Sequence, residues 1–344
     1  MVDIPETAFK PGARSALVDQ HGRTASYLRL SVTDRCDLRC TYCMAENMTF
    51  LPRKDVLSLE ELYRMSSIFI DNGIRKIRLT GGEPLVRKNV ISLFQSLSRH
   101  LDNGTLDELT LTTNGSLLSR YADELAACGV RRVNVSLDTL DPQRYQAITR
   151  WGRIEKVFAG LDAAQAAGLK VKLNAVAQKG VFETEIDELI RFAHGRGMDL
   201  TLIEEMPLGG AAHCRESSFL SLSDLRRDLE ERWSLVPLSD STGGPAKYVR
   251  LKETGGRLGF ITPMSCDFCA DCNRVRVSCT GRLYTCMGQE GSISLRDALR
   301  GSDGNELAEQ LIRETVFSKP REHDFHIGTG SVQGIARAMS TLGG

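Results

Sequence analysis

From Tyr27 onward, short stretches with an apolar residue at every second position alternate with longer stretches whose apolar residues recur every three or four positions. The first pattern predicts strands and the second predicts amphipathic helices. Strands are expected at "YLRLSVT", "KIRLT", "ELTLTT", "RVNVSLD", "KVKLNAV" and "LTLIEEM". A typical intervening helix is "SLEELYRMSSIFIDNG", where Ser58 and Glu61 have capping-box spacing, Leu59, Leu62, Met65 and Phe69 share a face, and Gly73 suits the C-terminal stop. Six βα units fit before about residue 207, two short of a closed eightfold barrel. The predicted fold class is therefore α/β, an incomplete (βα)6 TIM-type barrel. Beyond residue 208 the pattern changes to a loop, "PLGGAAHCRESS", one more helix marked by Leu225, Leu229 and Trp233, and a linker-like "DSTGGPAKY". The expected division is a barrel over residues 14–235 and a C-terminal region over 236–344.

Parallel strands covered on both faces read as continuous apolar runs, and these do not. Leu28 and Leu30 alternate with Arg29 and Ser31, Ile77 and Leu79 flank Arg78, Leu109 and Leu111 alternate with Thr110 and Thr112, Val133 and Val135 enclose Asn134 and precede Ser136, and Val171 and Leu173 flank Lys172. If the apolar set meets the helices, a period of two turns the polar set inward. A packed barrel core does not tolerate Arg29, Arg78 and Lys172 without partners. Either the strands are half exposed and the charges meet water, or the barrel encloses a cavity for a polyanion.

Lys and Arg balance Asp and Glu at 44 each, which leaves no global field to attract nucleic acid or an anionic membrane. The first residues lack an apolar signal-like run, and no apolar stretch approaches the roughly 20 residues of a membrane span. A cytoplasmic protein is expected, a compartment in which disulfides are not maintained. Yet there are 10 cysteines. Three lie at Cys36, Cys40 and Cys43, and five more at Cys266, Cys269, Cys272, Cys279 and Cys286, while Cys128 and Cys214 stand alone and read as plain thiols. Two clusters this far apart suggest two metal sites.

CxxxCxxC is more crowded than a zinc ribbon and follows the first strand, on the rim where barrel enzymes place their chemistry. A four-iron cubane held by three thiolates leaves one iron open to a ligand; a zinc site and redox thiols are the alternatives. The second group leaves the choice between a ferredoxin-like run and paired zinc ligands open.

Cys36, Cys40 and Cys43, with Tyr42 before the last of them and "GGEP" at 81–84, resemble the radical S-adenosylmethionine superfamily. That resemblance implies a 4Fe-4S cluster whose open iron is chelated by S-adenosylmethionine, with Gly81 and Gly82 giving close backbone approach. "FCADCNRVR" followed by "GRLYTC", together with "LRLSVTDRC", "LTTNG", "NVSLD", "VKLNAV" and the final "LGG", is similar to the GTP 3′,8-cyclase family of molybdenum-cofactor biosynthesis. The family implies a second 4Fe-4S cluster on Cys269, Cys272 and Cys286, leaving Cys266 and Cys279 as extra thiols. It implies GTP contacts at Arg29, Arg78, Thr112, Lys172, Arg274, Val275 and Arg276, and S-adenosylmethionine contacts at Tyr42, Gly82, Ser136 and Met206. Catalytic roles are implied for Arg274 and Arg276 and for the terminal Gly343 and Gly344, a tail that reaches into the site.

The implied reaction is hydrogen abstraction from C3′ of GTP, addition of C3′ to guanine C8, and one-electron reduction with protonation to 3′,8-cyclo-7,8-dihydro-GTP. The implied partners are a reductant protein and the cyclic pyranopterin monophosphate synthase downstream, and a homodimer is compatible with the resemblance. One departure is Thr201, where the family pattern has an Arg; it is expected to point inward and leave the cavity one cation short. Alternatives are a radical peptide-modifying enzyme with an auxiliary cluster and a non-catalytic metal-binding module, and a cationic barrel interior argues against the module.

Overall fold

A computed structural model describes residues 16–180, 182–206, 218–239, 243–265, 269–302, 304–324 and 339. Cys214, Cys266, Gly343 and Gly344 lie outside the described residues. The six expected strands form in order: β1 (Tyr27–Ser31), β2 (Lys76–Thr80), β3 (Glu108–Thr113), β4 (Arg132–Ser136), β5 (Lys170–Ala177) and β6 (Asp199–Glu204). Each pairs in parallel with the next. The helices between them are α1 (Leu59–Asp71), α2 (Val90–Asp102), α3 (Leu118–Ala127), α4 (Pro142–Thr149), α5 (Ile154–Ala166) and α6 (Phe182–Gly195). Their apolar faces meet Leu28, Leu30, Ile77, Leu79, Leu109, Leu111, Val133, Val135, Val171 and Leu173 in one core. Hydrophobic burial on that outer face, at about 25 cal/mol per Å² of apolar surface, holds the sheet while its inner face stays polar.

The later strands extend the same sheet. After α7 (Leu222–Glu230) come β7 (Leu235–Pro237), β8 (Lys247–Leu251), β9 (Arg257–Ile261), β10 (Arg274–Val277), β11 (Arg282–Tyr284) and β12 (Ile293–Ser294). They do not build a sheet of their own. β9 joins β6 in parallel and β10 joins β1 in parallel, so the order is β12-β11-β10-β1-β2-β3-β4-β5-β6-β9-β8-β7. The boundary at 235/236 therefore falls inside one continuous, mixed sheet. The antiparallel pairs β8·β9 and β10·β11 finish its two sides. Two helices follow, α8 (Arg296–Arg300) and α9 (Gly304–Phe317).

The cap of α1 forms as the spacing requires: Glu61 N–H donates to Ser58 Oγ at 3.1 Å and Ser58 N–H donates to Glu61 Oε2 at 2.7 Å. Gly73 ends the segment with φ of 92°, a conformation costly for other residues. Among the described residues no helix is long and apolar enough to cross a membrane. Ser58→Ala is expected to lower stability by about 1 kcal/mol, read as a small drop in the thermal midpoint. An unchanged midpoint would mean that packing alone sets the start of α1.

Candidate active site

Strand register assembles the site. Arg29 on β1 stands opposite Arg276 on β10 and opposite Arg78 on β2. Three guanidinium side chains thus lie side by side on the inner face, with Tyr27 and Arg274 one step behind on β1 and β10. Lys172 on β5 pairs with Asn134 on β4, which in turn faces Thr112 on β3. All of these line one cavity of about 250 Å³, together with Ser136, Gly82, Tyr42, Met206 and the thiol residues Cys36, Cys40 and Cys43. Val275 does not: the same period of two buries its side chain completely in the core.

The cations depress one another. Burial, reinforced by Arg78 and Arg274, brings Arg29 down to about 10. Burial and then Arg29 and Arg274 push Arg276 well below the usual arginine range. Burial followed by Arg78 and Arg132 brings Lys172 down to about 7. The Tyr27 phenol senses the same field: burial raises it, yet Arg78, Arg29, Lys76 and Arg274 leave it below the ordinary tyrosine value. Arg78 and Lys76 also stack over the Tyr27 ring at 5.6 and 4.9 Å. A pocket with this potential favours an anionic ligand.

Thr201 faces inward but does not line the cavity. Its neighbour is Gly259, where a Cβ would come within 2.8 Å of the Tyr248 ring and 3.0 Å of Thr201 Oγ1. The small pair leaves room for Tyr248, whose hydroxyl accepts from Lys172 Nζ at 2.8 Å. The place expected to lack a cation is filled by an aromatic ring.

The first thiol loop is held by backbone and by aromatic stacking. Arg39 N–H and Thr41 N–H donate to Thr149 and Ile148 carbonyls at the end of α4. The Arg39 guanidinium lies between the rings of Phe50 and Trp151, at 4.8 and 4.9 Å, and donates to the Cys36 carbonyl at 2.8 Å. The two glycines of "GGEP" are needed here for a specific reason. A Cβ on Gly82 would meet Arg35 O at 2.4 Å and one on Gly81 would meet Thr33 O at 2.7 Å, so the strand β2 end packs directly on the backbone leading to Cys36. Glu83 then accepts from Thr113 Oγ1, Leu85 N–H and Asn114 N–H, and burial pushes its carboxyl up to about 7 against those donors. Tyr42 donates to Asp138 Oδ2 at 2.7 Å while Asp138 Oδ1 accepts from Val176 N–H.

Among the described residues, no three His, Cys, Asp or Glu side chains are placed to hold a single metal ion. A multi-iron group needs something else, several sulfur donors spread around its body. Three thiols outside any disulfide, Cys36, Cys40 and Cys43, line this cavity, and with Asn114 Nδ2 at 3.8 Å from Cys36 Sγ they fit that donor set. Of the second thiol group expected from the sequence, which lies outside the lining, Cys272 N–H donates to the Cys269 carbonyl at 3.1 Å, and Lys319 Nζ reaches both Cys272 Sγ and the Thr285 carbonyl beside Cys286. Arg274 joins the two spaces: it lines the cavity and donates to Cys272 Sγ at 3.7 Å. Burial would raise Cys272, but Arg274 and Lys319 bring it down to about 7, whereas burial raises Cys36, Cys40 and Cys286. Cys279 is fully buried in a different environment and pushed up to about 12, and Cys128 is buried in the core.

Residues 30–193 match the Radical SAM superfamily profile and residues 198–325 match Molybdenum Cofactor Synthesis C. The chain is 60% identical over 329 residues to a GTP 3′,8-cyclase of Agrobacterium fabrum, covering 95% of this chain and 94% of that protein. It is also 60% identical to one of Mesorhizobium japonicum, covering 99% of that protein. The chain belongs to the GTP 3′,8-cyclase family. Its fold is shared with the Streptococcus suis protein SuiB bound to S-adenosylmethionine, at a TM-score of 0.61 and 16% identity over 87% of this chain and 66% of SuiB. The S-adenosylmethionine-bound anSMEcpe structure aligns with a TM-score of 0.56 at 17% identity. At such identities the likeness extends to the fold alone. The two family profiles meet between 193 and 198, ahead of the 235/236 boundary read from the sequence.

In this GTP 3′,8-cyclase family member the same alternation reaches further cavity residues. Tyr27 and Asp138 lie two positions from Arg29 and Ser136, and a period of two puts them on the same side. Asn174 follows from Lys172 in the same way. Arg23, in the stretch "RTASYLRL" that reads as ordinary scaffold, donates to the Cys269 carbonyl at 2.8 Å, a contact across 246 positions that no local pattern contains. A second cavity, at the opposite strand ends, is lined by Lys76, Arg132, Arg257, Glu108 and Asp199, which form ion pairs with one another.

The Lys172 value has a pH consequence in the ligand-free protein. Its folded pKa is depressed, so the unfolded chain binds more protons between about pH 7 and 10.5, and stability rises with pH there. The stability of the wild type relative to Lys172→Met should therefore grow from pH 7 to 9, by at most about 1.4 kcal/mol per unit. Denaturant midpoints that differ by a constant amount across that range would contradict the placement of a depressed Lys172 in the cavity.

Proposed function

We propose that the cavity converts GTP to 3′,8-cyclo-7,8-dihydro-GTP, so that the chain acts as a lyase in cytoplasmic molybdenum-cofactor biosynthesis and hands its product to the cyclic pyranopterin monophosphate synthase. The observation that carries this reading is the row Arg276, Arg29 and Arg78, with Lys172 across the cavity, on the same walls as Cys36, Cys40 and Cys43. Guanidinium forks and a buried ammonium suit a triphosphate, whose charge offsets their mutual repulsion. When bound on those three thiols, a 4Fe-4S cluster with S-adenosylmethionine would supply the 5′-deoxyadenosyl radical that takes the C3′ hydrogen of the substrate.

The chain's own part is to bind, orient and shield. Arg29, Arg78 and Lys172 fix the triphosphate, with Tyr248 holding the Lys172 ammonium in place. Tyr42, anchored on Asp138, and the polar Ser136 and Asn134 shape the wall between that anion site and the first thiols. Gly82 keeps the thiol loop pressed against the end of β2. Arg274 and Arg276 face the guanine end, beside the second thiol group, and favour the transient negative charge when the closed-ring radical takes up one electron from an external reductant protein, a charge that the following protonation cancels. Met339 lines the cavity four residues ahead of Gly343, which supports a role for the terminal diglycine at this site.

Anaerobic incubation with reductant, S-adenosylmethionine and GTP deuterated at C3′ should give 5′-deoxyadenosine that carries deuterium. Its absence, with turnover otherwise intact, would overturn the abstraction at C3′. Reconstitution should load about eight irons per chain and about four in the Cys269→Ala, Cys272→Ala, Cys286→Ala variant. Zinc at the second group would sink the two-cluster reading.

A further inference from the structure

Lys319 follows α9 and is 2% exposed, a burial that lysines avoid unless their charge is compensated. Its Nζ donates to the Thr285 carbonyl at 2.6 Å, to the Arg274 carbonyl at 2.7 Å and to Cys272 Sγ at 3.4 Å. These acceptors lie on separate pieces of chain: the turn that carries Cys269 and Cys272, the first residue of β10, and the residue just before Cys286.

The ammonium is itself held in place from behind. Arg23 donates through Nη1 to the carbonyls of Cys269 and Arg321, both at 2.8 Å, and through Nη2 to that of Pro320 at 2.5 Å. Its Nε is paired with the buried Asp19 carboxylate at 2.6 Å, and Gln20 N–H donates to the Phe317 carbonyl at 3.0 Å. The hairpin at Asp19–Arg23 thus straps residues 317–321 and the Cys269 turn into one unit.

From this geometry we infer that Lys319 is a positioning residue of the second sulfur group: its ammonium is the counter-ion of the Cys272 thiolate, ties the Cys272 and Cys286 segments together, and makes an iron-sulfur group bound there easier to reduce. The inference rests on the reading that Cys269, Cys272 and Cys286 hold such a group. An N–H donor to a ligand sulfur withdraws electron density, and one-electron reduction adds one negative charge next to a cation that little water screens. Arg274 acts on the same sulfur from the cavity side, so the group lies between a substrate-facing cation and a structural one.

The test uses the full chain with Cys36, Cys40 and Cys43 replaced by Ala, so that only the second group can be loaded, and reads the midpoint potential by redox titration followed by electron paramagnetic resonance. Lys319→Gln, one atom shorter, keeps N–H donors but not the charge, and should shift the one-electron equilibrium at least tenfold toward the oxidised form, about 59 mV more negative. Lys319→Arg keeps the charge and should stay within threefold of the parent. Iron release to a chelator should be faster in Lys319→Gln than in Lys319→Arg. A parent-like potential in loaded Lys319→Gln would overturn the inference, and so would equal shifts or equal iron loss in both variants, because shape and not charge would then be responsible. If the parent itself binds no iron, the reading of the second group fails first and takes this inference with it.

Discussion

Three arginines stand in register across three neighbouring strands, and the rest of the molecule accommodates that arrangement. Like charges directly opposite one another destabilise a sheet, and burial makes the repulsion worse because little water screens it. Arg276, Arg29 and Arg78 nevertheless share one row inside the barrel, with Lys172 on the far wall. Their opposite face explains how the sheet survives: Leu28, Leu30, Ile77, Leu79, Val275 and Val277 are fully buried against the helices. The Tyr27 ring, with Arg78 and Lys76 over it, spreads part of the charge over an aromatic face. What remains is a positive potential that a polyanion relieves, so ligand binding and fold stability draw on the same residues.

The strand pair β1·β10 also fixes where the two sulfur groups stand. The two strands are parallel and in register from Tyr27 and Arg274 onward. Cys36 follows the end of β1, whereas Cys272 precedes the start of β10, so the groups lie at opposite ends of the same pair. A run of about five residues separates such ends by roughly 15 Å. The arginine row occupies the span between them. Because β10 comes from the C-terminal region, the site is complete only when that region adds its strands to the sheet.

Much of this was legible in the sequence because it depends on local periodicity. A period of two separated Leu28 and Leu30 from Arg29, and the same rule applied to five strands gave the polar interior without any partner being known. The α1 cap was readable from Ser58 and Glu61 three positions apart. What was missed lies in contacts between distant segments. Nothing near "RVRV" shows that Arg276 will lie beside Arg29, 247 positions earlier, nor that β9 will extend the sheet at β6. The resemblance implies a contact at Val275, whose side chain strand geometry turns into the core. Thr201 read as a deficit because the Tyr248 ring that fills its place arrives from another strand. Lys319 carries no pattern at all; only its three acceptors, brought together by the fold, give it meaning.

If the clustered cations form a triphosphate site, calorimetric titration of the ligand-free protein at one fixed ionic strength should distinguish GTP from guanosine. GTP should bind about a hundredfold tighter or more, a difference of about 2.7 kcal/mol. Equal affinities for the two would contradict it.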